Sequence, residues 1–168
     1  YFDRCSGFFV MTSNQTLGMC IADRRIGPRC PTYVIAEACD NHMGNLDHAR
    51  EMIRLAKLAG CDAIKFQHHL PDEEMLPETP MSSNFSEPLY EFLIRHALTL
   101  EQHADLSEYC SSLGIQYLCT PFSYKAAEEL TTIGVPAFKI GSGEMSDLPS
   151  MSRIATQFGL PMIVSTGM

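Results

Sequence analysis

The sequence predicts an α/β protein built on the (β/α)8 barrel, with about the first five β/α units present and a short hairpin before them. Three observations carry that reading. Strand-like and helix-like patterns alternate five times, which requires parallel strands joined by right-handed crossovers. Polar residues stand at the carboxyl end of every strand: Glu37, Gln67, Thr120, Ser142 with Glu144, and Ser165 with Thr166. Drawing site residues from successive strand ends is the habit of that barrel. The open doubly wound sheet is the alternative, but the glycine-rich dinucleotide loop expected after its first strand is missing here. Five strands do not close an eight-stranded barrel, so the chain is expected to be the front part of a larger protein.

Residues 1–18 show no sustained period and are expected to be an N-terminal extension, tag or leader. Residues 19–168 would then be the N-terminal part of the barrel domain. The stretch 19–32 reads as a hairpin turning at Asp23-Arg24. A first strand follows at about 32–37. Asn45 caps a helix to about residue 59, because Leu46, Ala49, Ile53, Ala56 and Gly60 recur at spacings of three and four. Gly60 closes it, and the second strand spans about 62–67.

Residues 68–85 are rich in proline, serine and acids, an irregular excursion too long for a routine connection. Pro88 opens a helix at about 87–97. Thr99 and Gln102 have capping-box spacing for the next, about 100–113, closed by Gly114. Ile115–Thr120 is the third strand, stopped by Pro121. Ser123 caps a helix to about 133, Gly134 ends it, and Pro136–Ile140 is the fourth strand. Ser146 caps the last helix, to about 158, with Pro149 tolerated in its first turn. Gly159 ends that helix, and residues 161–166 form the fifth strand.

The bulk properties exclude several classes. With 168 residues, 45% hydrophobic and 19% charged, the chain has enough apolar material for one real core. A net charge of -8 argues against nonspecific binding to nucleic acid or an anionic membrane, but leaves room for a local cationic pocket. Seven cysteines without a CxxC pair read as reduced, mostly buried thiols of a cytoplasmic protein. No apolar run reaches membrane-spanning length, and Phe8-Phe9-Val10-Met11 is too short for a signal-peptide core.

Chemistry enters with the lysines. The chain has four, and two of them, Lys65 and Lys139, sit in apolar strands. Alternation along a strand places Lys139 with Ala137, opposite Phe138 and Ile140, and puts Lys65 and Gln67 on one face. An inward ammonium is costly unless an anion meets it. Gly141 and Gly143 let the backbone approach a ligand and offer N–H groups suited to phosphate. His68 and His69 look like a metal pair, but neighbours on a strand point apart, so both read as ordinary loop histidines. His42 reads as a hydrogen-bonded structural histidine near the site, and Cys39 and Cys119 as packing residues.

Five segments in order carry a resemblance. Ile35-Ala36-Glu37 with Asn41-His42, then Asp62-Ala63-Ile64-Lys65-Phe66-Gln67, resemble the sialic acid synthase family. So do Thr120-Pro121-Phe122, Phe138-Lys139-Ile140-Gly141-Ser142-Gly143-Glu144 and Ser165-Thr166-Gly167-Met168. That family includes N-acetylneuraminate synthases and their legionaminate, pseudaminate and spore-coat polysaccharide relatives. The resemblance covers roughly residues 19–168. It implies condensation of phosphoenolpyruvate with an N-acetylated hexose, such as N-acetylmannosamine, to a nine-carbon 2-keto acid and phosphate. It also implies a divalent metal (manganese or magnesium), a homodimer, and a small antifreeze-like domain after the barrel.

By resemblance, Lys65, Thr120, Lys139, Ser142 and Ser165 surround phosphoenolpyruvate. Glu37 and Glu144 are the catalytic carboxylates, and Gln67 and Asn84 contact the sugar. Two departures stand against it. His42-Met43-Gly44 replaces the family's usual His-Asn-Gly, and the metal ligands are expected beyond residue 168. The alternatives are a non-catalytic fragment or regulatory homologue of the same fold, or another phosphoenolpyruvate-dependent aldol-type barrel synthase.

Overall fold

The computed structural model describes residues 18–78, 81 and 86–167. The expected extension therefore lies outside the described residues, apart from Gly18. A two-stranded antiparallel hairpin, β1 (Met19–Ile21) and β2 (Arg24–Ile26), precedes a five-stranded parallel sheet. The sheet consists of β3 (Ile35–Glu37), β4 (Ala63–His68), β5 (Gln116–Pro121), β6 (Phe138–Ile140) and β7 (Met162–Val164), paired in chain order. Helices α1 (Leu46–Leu58), α2 (Pro71–Glu74), α3 (Leu89–His96), α4 (Leu100–Leu113), α5 (Tyr124–Thr132) and α6 (Leu148–Phe158) fill the crossovers. This is the α/β half-barrel arrangement that strand–helix alternation implies. Among the described residues, no helix is long and apolar enough to cross a membrane.

Two apolar layers hold the sheet. Phe66, Tyr117, Cys119 and Phe138 point outward into the main core, where Ala49, Ile53 and Ala56 of α1, Leu106 and Cys110 of α4 and Leu130 of α5 meet them. The predicted stripe of α1 is thus the buried one as far as Ala56, while Gly60 is exposed. The opposite face carries a smaller cluster of Ala63, Leu118 and Ala137, closed by Ile21 of the hairpin. The hairpin is therefore a plug under the inner face, and it leaves the carboxyl ends of the strands open.

Local signals set most helix ends. Asn45 Oδ1 accepts from Asp47 and His48 N–H. Thr99 and Gln102 exchange both bonds of a capping box, and Gly114 closes α4 with φ 66. Several boundaries differ from the sequence reading, the fifth strand among them, which spans Met162–Val164 rather than 161–166, and three of the differences have a visible cause. The hairpin turns at Ala22-Asp23 rather than Asp23-Arg24, because Ile21 pairs with Arg24 and the Arg24 guanidinium reaches Asp62 at 3.1 Å. β3 starts later than residue 32, since Asp62 Oδ2, not a strand carbonyl, accepts the Val34 N–H. The cap of α6 is Asp147, whose Oδ1 accepts from Ser150 N–H, because Gly143–Ser146 is wound into a 3-10 turn.

Candidate functional site

The candidate site lies at the carboxyl ends of β3 to β7, on the inner face. Period-two alternation aims Lys65 of β4 and Thr120 of β5 inward above Ala63 and Leu118. Lys65 is 3% exposed. Its Nζ lies 2.7 Å from Glu37 Oε2 and donates to Thr120 Oγ1 at 3.0 Å. Three neighbouring strand ends thus meet at one ammonium. Glu37 itself is exposed on the open side of that pair.

Lys139 of β6 shares the inner face but is satisfied differently. It forms no ion pair among the described residues, and its Nζ donates to the carbonyl of Ile140 at 2.8 Å. Burial and the neighbouring Lys65 charge push its pKa down, against the opposing pull of Glu37 and Glu144. An ammonium in that position is stabilised by any anion that arrives. Beyond it, one oxygen of Glu144 is buried without a hydrogen-bond partner. That oxygen lies over Gly141, where any side chain would collide with it. A side chain at that position would push the Glu144 carboxylate aside, and glycine leaves it in place.

Other expected residues are placed less tightly. Ser142 precedes the 3-10 turn, and Ser165 follows β7, with its backbone N–H bonded to Ile140 O at 3.0 Å. Gln67 continues the inward row of β4 and meets His69. Asn84 lies outside the described residues. Cys39 has φ 49, and its thiol is 3.9 Å from Glu37 Oε2. Burial pushes that thiol up, partly offset by Lys65. It is a free cysteine, as are Cys30, Cys61, Cys110 and Cys119.

The two adjacent histidines correct the sequence reading. They do point apart, but neither is an ordinary loop residue. His68 is buried in the outer layer, with Nε2 2.9 Å from Glu129 Oε2 and its ring edge-on to His103. His69 turns to the inner side, 6% exposed, and stacks on Phe122. Its Nδ1 is 2.8 Å from Glu74 Oε2 and its Nε2 is 3.1 Å from Asp40 Oδ2. Burial opposes the charged ring, but Asp40 and Glu74 outweigh it and hold the His69 pKa up at about 9.

Sequence reasoning missed Asp40, His69 and Glu74 as a group. The available signal was that His69 continues the inward row of Lys65 and Gln67 one step past the strand. His42 is buried as expected, with Nδ1 accepting from Gly44 N–H at 3.0 Å. Among the described residues, no three His, Cys, Asp or Glu side chains are grouped to hold a metal ion.

Comparison with known proteins follows the same residues. The NeuB family model matches residues 52–168. The chain is 36% identical over 149 residues to the N,N'-diacetyllegionaminic acid synthase of Legionella pneumophila, covering 84% of this chain and 41% of that protein. It is 35% identical over 150 residues to the human N-acetylneuraminate-9-phosphate synthase, covering 86% of this chain and 42% of that one. The crystal structure of N-acetylneuraminic acid synthetase from Leptospira borgpetersenii, in complex with citrate, superposes with a TM-score of 0.76 at 28% identity. That match covers 94% of this chain and 52% of the other. The chain therefore spans about two-fifths of the length of these curated relatives. A 3-deoxyheptulosonate-type aldolase from Thermotoga maritima, at 12% identity and TM-score 0.64, shares the fold. With the family model matching well over half of its length, the chain belongs to the NeuB family.

Proposed function

We propose that this chain supplies the phosphoenolpyruvate-binding half of a nonulosonic-acid synthase. The single observation that carries the reading is the pair of inward lysines. Lys65 is neutralised by Glu37, whereas Lys139 forms no ion pair among the described residues. One uncompensated cation beside a paired one, with Thr120, Ser142 and Ser165 as neutral donors around them, suits a small substrate carrying both phosphate and carboxylate. The citrate complex of the Leptospira relative supports a polyanion-binding protein of this shape.

In this reading the enol carbon of phosphoenolpyruvate forms a bond to the aldehyde carbon of an N-acetylated hexose. Water adds at the carbon bearing the phosphate, and inorganic phosphate leaves. Glu144 has an unpaired carboxylate oxygen that can hold or move a proton at that water. Glu37 sets the charge on Lys65 and opens to the solvent side, where the sugar enters. Gln67 and Asn84 would face the sugar. A divalent manganese or magnesium ion would polarise the aldehyde, but the described residues group no three His, Cys, Asp or Glu side chains that fit it. Closure into a full eight-stranded barrel, a homodimer and a cytoplasmic setting belong to the same proposal, the last supported by the free thiols.

The test is phosphate release from phosphoenolpyruvate by the protein with Mn2+ or Mg2+, with a panel of N-acetylated hexoses as co-substrate. Sugar-dependent release with a nine-carbon keto acid as co-product supports the reading. Binding of phosphoenolpyruvate without turnover in any combination would favour a non-catalytic homologue.

A further inference from the structure

The inner row of β4 does not end at Gln67. His69 follows it, and its two ring nitrogens both face carboxylates: Nδ1 is 2.8 Å from Glu74 Oε2 and Nε2 is 3.1 Å from Asp40 Oδ2. An ionised carboxylate only accepts, so each nitrogen must carry a proton. The ring is donor-only. Its Nε2 also contacts Gln67 Oε1 at 3.4 Å, and this contact resolves what is otherwise ambiguous in an amide. Only the oxygen of Gln67 can face a donor-only ring, so its NH2 group is turned away from His69.

The clamp is rigid. Glu74 Oε1 also accepts the Leu70 N–H at 2.6 Å, and the imidazole stacks on Phe122 with centroids 4.1 Å apart. Asp40, His69 and Phe122 come from the segments after three successive strands, and Glu74 is the last residue of α2. His42 Nε2 faces the remaining Asp40 oxygen at 3.8 Å.

We propose that His69 is a positioning residue that fixes the amide of Gln67, so that Gln67 presents its NH2 group into the barrel and reads an acceptor oxygen of the sugar. The ligand chemistry is an acyl carbonyl or a hydroxyl acting as acceptor, and an ammonium or other donor at that position is rejected. This rests on the synthase reading for the identity of the substrate, while the orientation of Gln67 rests on geometry alone.

Two measurements separate those parts. The first needs no catalysis: 15N shifts of the His69 ring in the protein at pH 7.5. Two protonated nitrogens are expected. A neutral ring would free Nε2 to accept, release the amide and overturn the proposal. The second uses Gln67→Glu, which keeps the oxygen facing His69 but deletes the NH2 group. Its Tm should hold, while KM for the sugar rises about tenfold and KM for phosphoenolpyruvate stays put. His69→Gln should give the same sugar-selective rise, and an analogue lacking the acceptor oxygen should be insensitive to both changes. Unchanged sugar KM in both variants, or parallel rises for both substrates, would overturn the proposal. A doubly protonated ring in a protein that turns over no sugar would instead sink the synthase reading and leave the Gln67 orientation standing.

Discussion

Lys65 and Lys139 look alike in the sequence and differ in their surroundings. Lys65 is held by Glu37 and Thr120, so removing it leaves a carboxylate without its cation. Among the described residues Lys139 has only a carbonyl, and burial with the Lys65 charge already disfavours its ammonium. Each Lys→Met change should weaken phosphoenolpyruvate binding, measured by calorimetry, by about 1.5–3 kcal/mol for the lost charge-assisted contact. The fold should distinguish them: Tm falls in Lys65→Met and holds or rises in Lys139→Met. Undiminished affinity in both would remove the phosphate site. Two histidines make a second contrast. Asp40 and Glu74 raise the His69 pKa to about 9 from 6.5, although burial works against them. Its contribution is complete below the unfolded value and is lost as pH rises to about 9. For His103, burial, aided by His68, His42 and His69, lowers the pKa to about 3. Its neutral form is favoured above pH 6.5, and stability is lost as pH falls toward 3. Urea unfolding across pH should therefore show an alkaline slope that flattens in His69→Gln and an acid slope that flattens in His103→Gln. Identical slopes in wild type and variants would contradict both environments.

Among the elements, the hairpin has the largest effect for its size. Ile21 is fully buried against Ala63, Leu118 and Ala137, directly beneath the layer that carries Lys65 and Lys139. Ile21→Ala should cost about 2–5 kcal/mol in chemical denaturation by leaving a cavity under the site. A loss below 1 kcal/mol, on the order of a surface change, would mean that the plug is not part of the core. The hairpin also shows what a sequence makes legible. The α4 capping box was readable because Thr99 and Gln102 satisfy each other within one turn. The hairpin turn was misplaced by one residue because Arg24 answers to Asp62, far along the chain. Lys65 and Gln67 could be assigned to one face by alternation, but the pairing of Lys65 with Glu37 depends on the register of β3 against β4. His69 was missed for a related reason. Its inward direction continues a strand whose hydrogen-bonded ladder has already stopped, and its partners come from the loop after β3 and from α2.

At the scale of the molecule, the sheet has an apolar layer of helices on one side, a plugged inner face on the other, and two edges. Among the described residues, β3 pairs only with β4, and β7 pairs only with β6. Val34 beside the first edge is 46% exposed and Val164 at the second is 39% exposed. Parallel strands are normally buried on both faces and within a larger sheet, so open rows of N–H and C=O groups flanked by valine invite another strand. The 168-residue chain prepared by itself should therefore self-associate with rising concentration, as followed by light scattering behind size exclusion. Val164→Lys places a charge on the edge without entering the main core and should shift the distribution toward monomer. The site residues lie at the strand ends and inner face, so phosphoenolpyruvate binding by that monomer should survive the change. A wild-type chain that is monomeric at every concentration, with one sharp unfolding transition, would show that these edges are covered by something other than strand pairing.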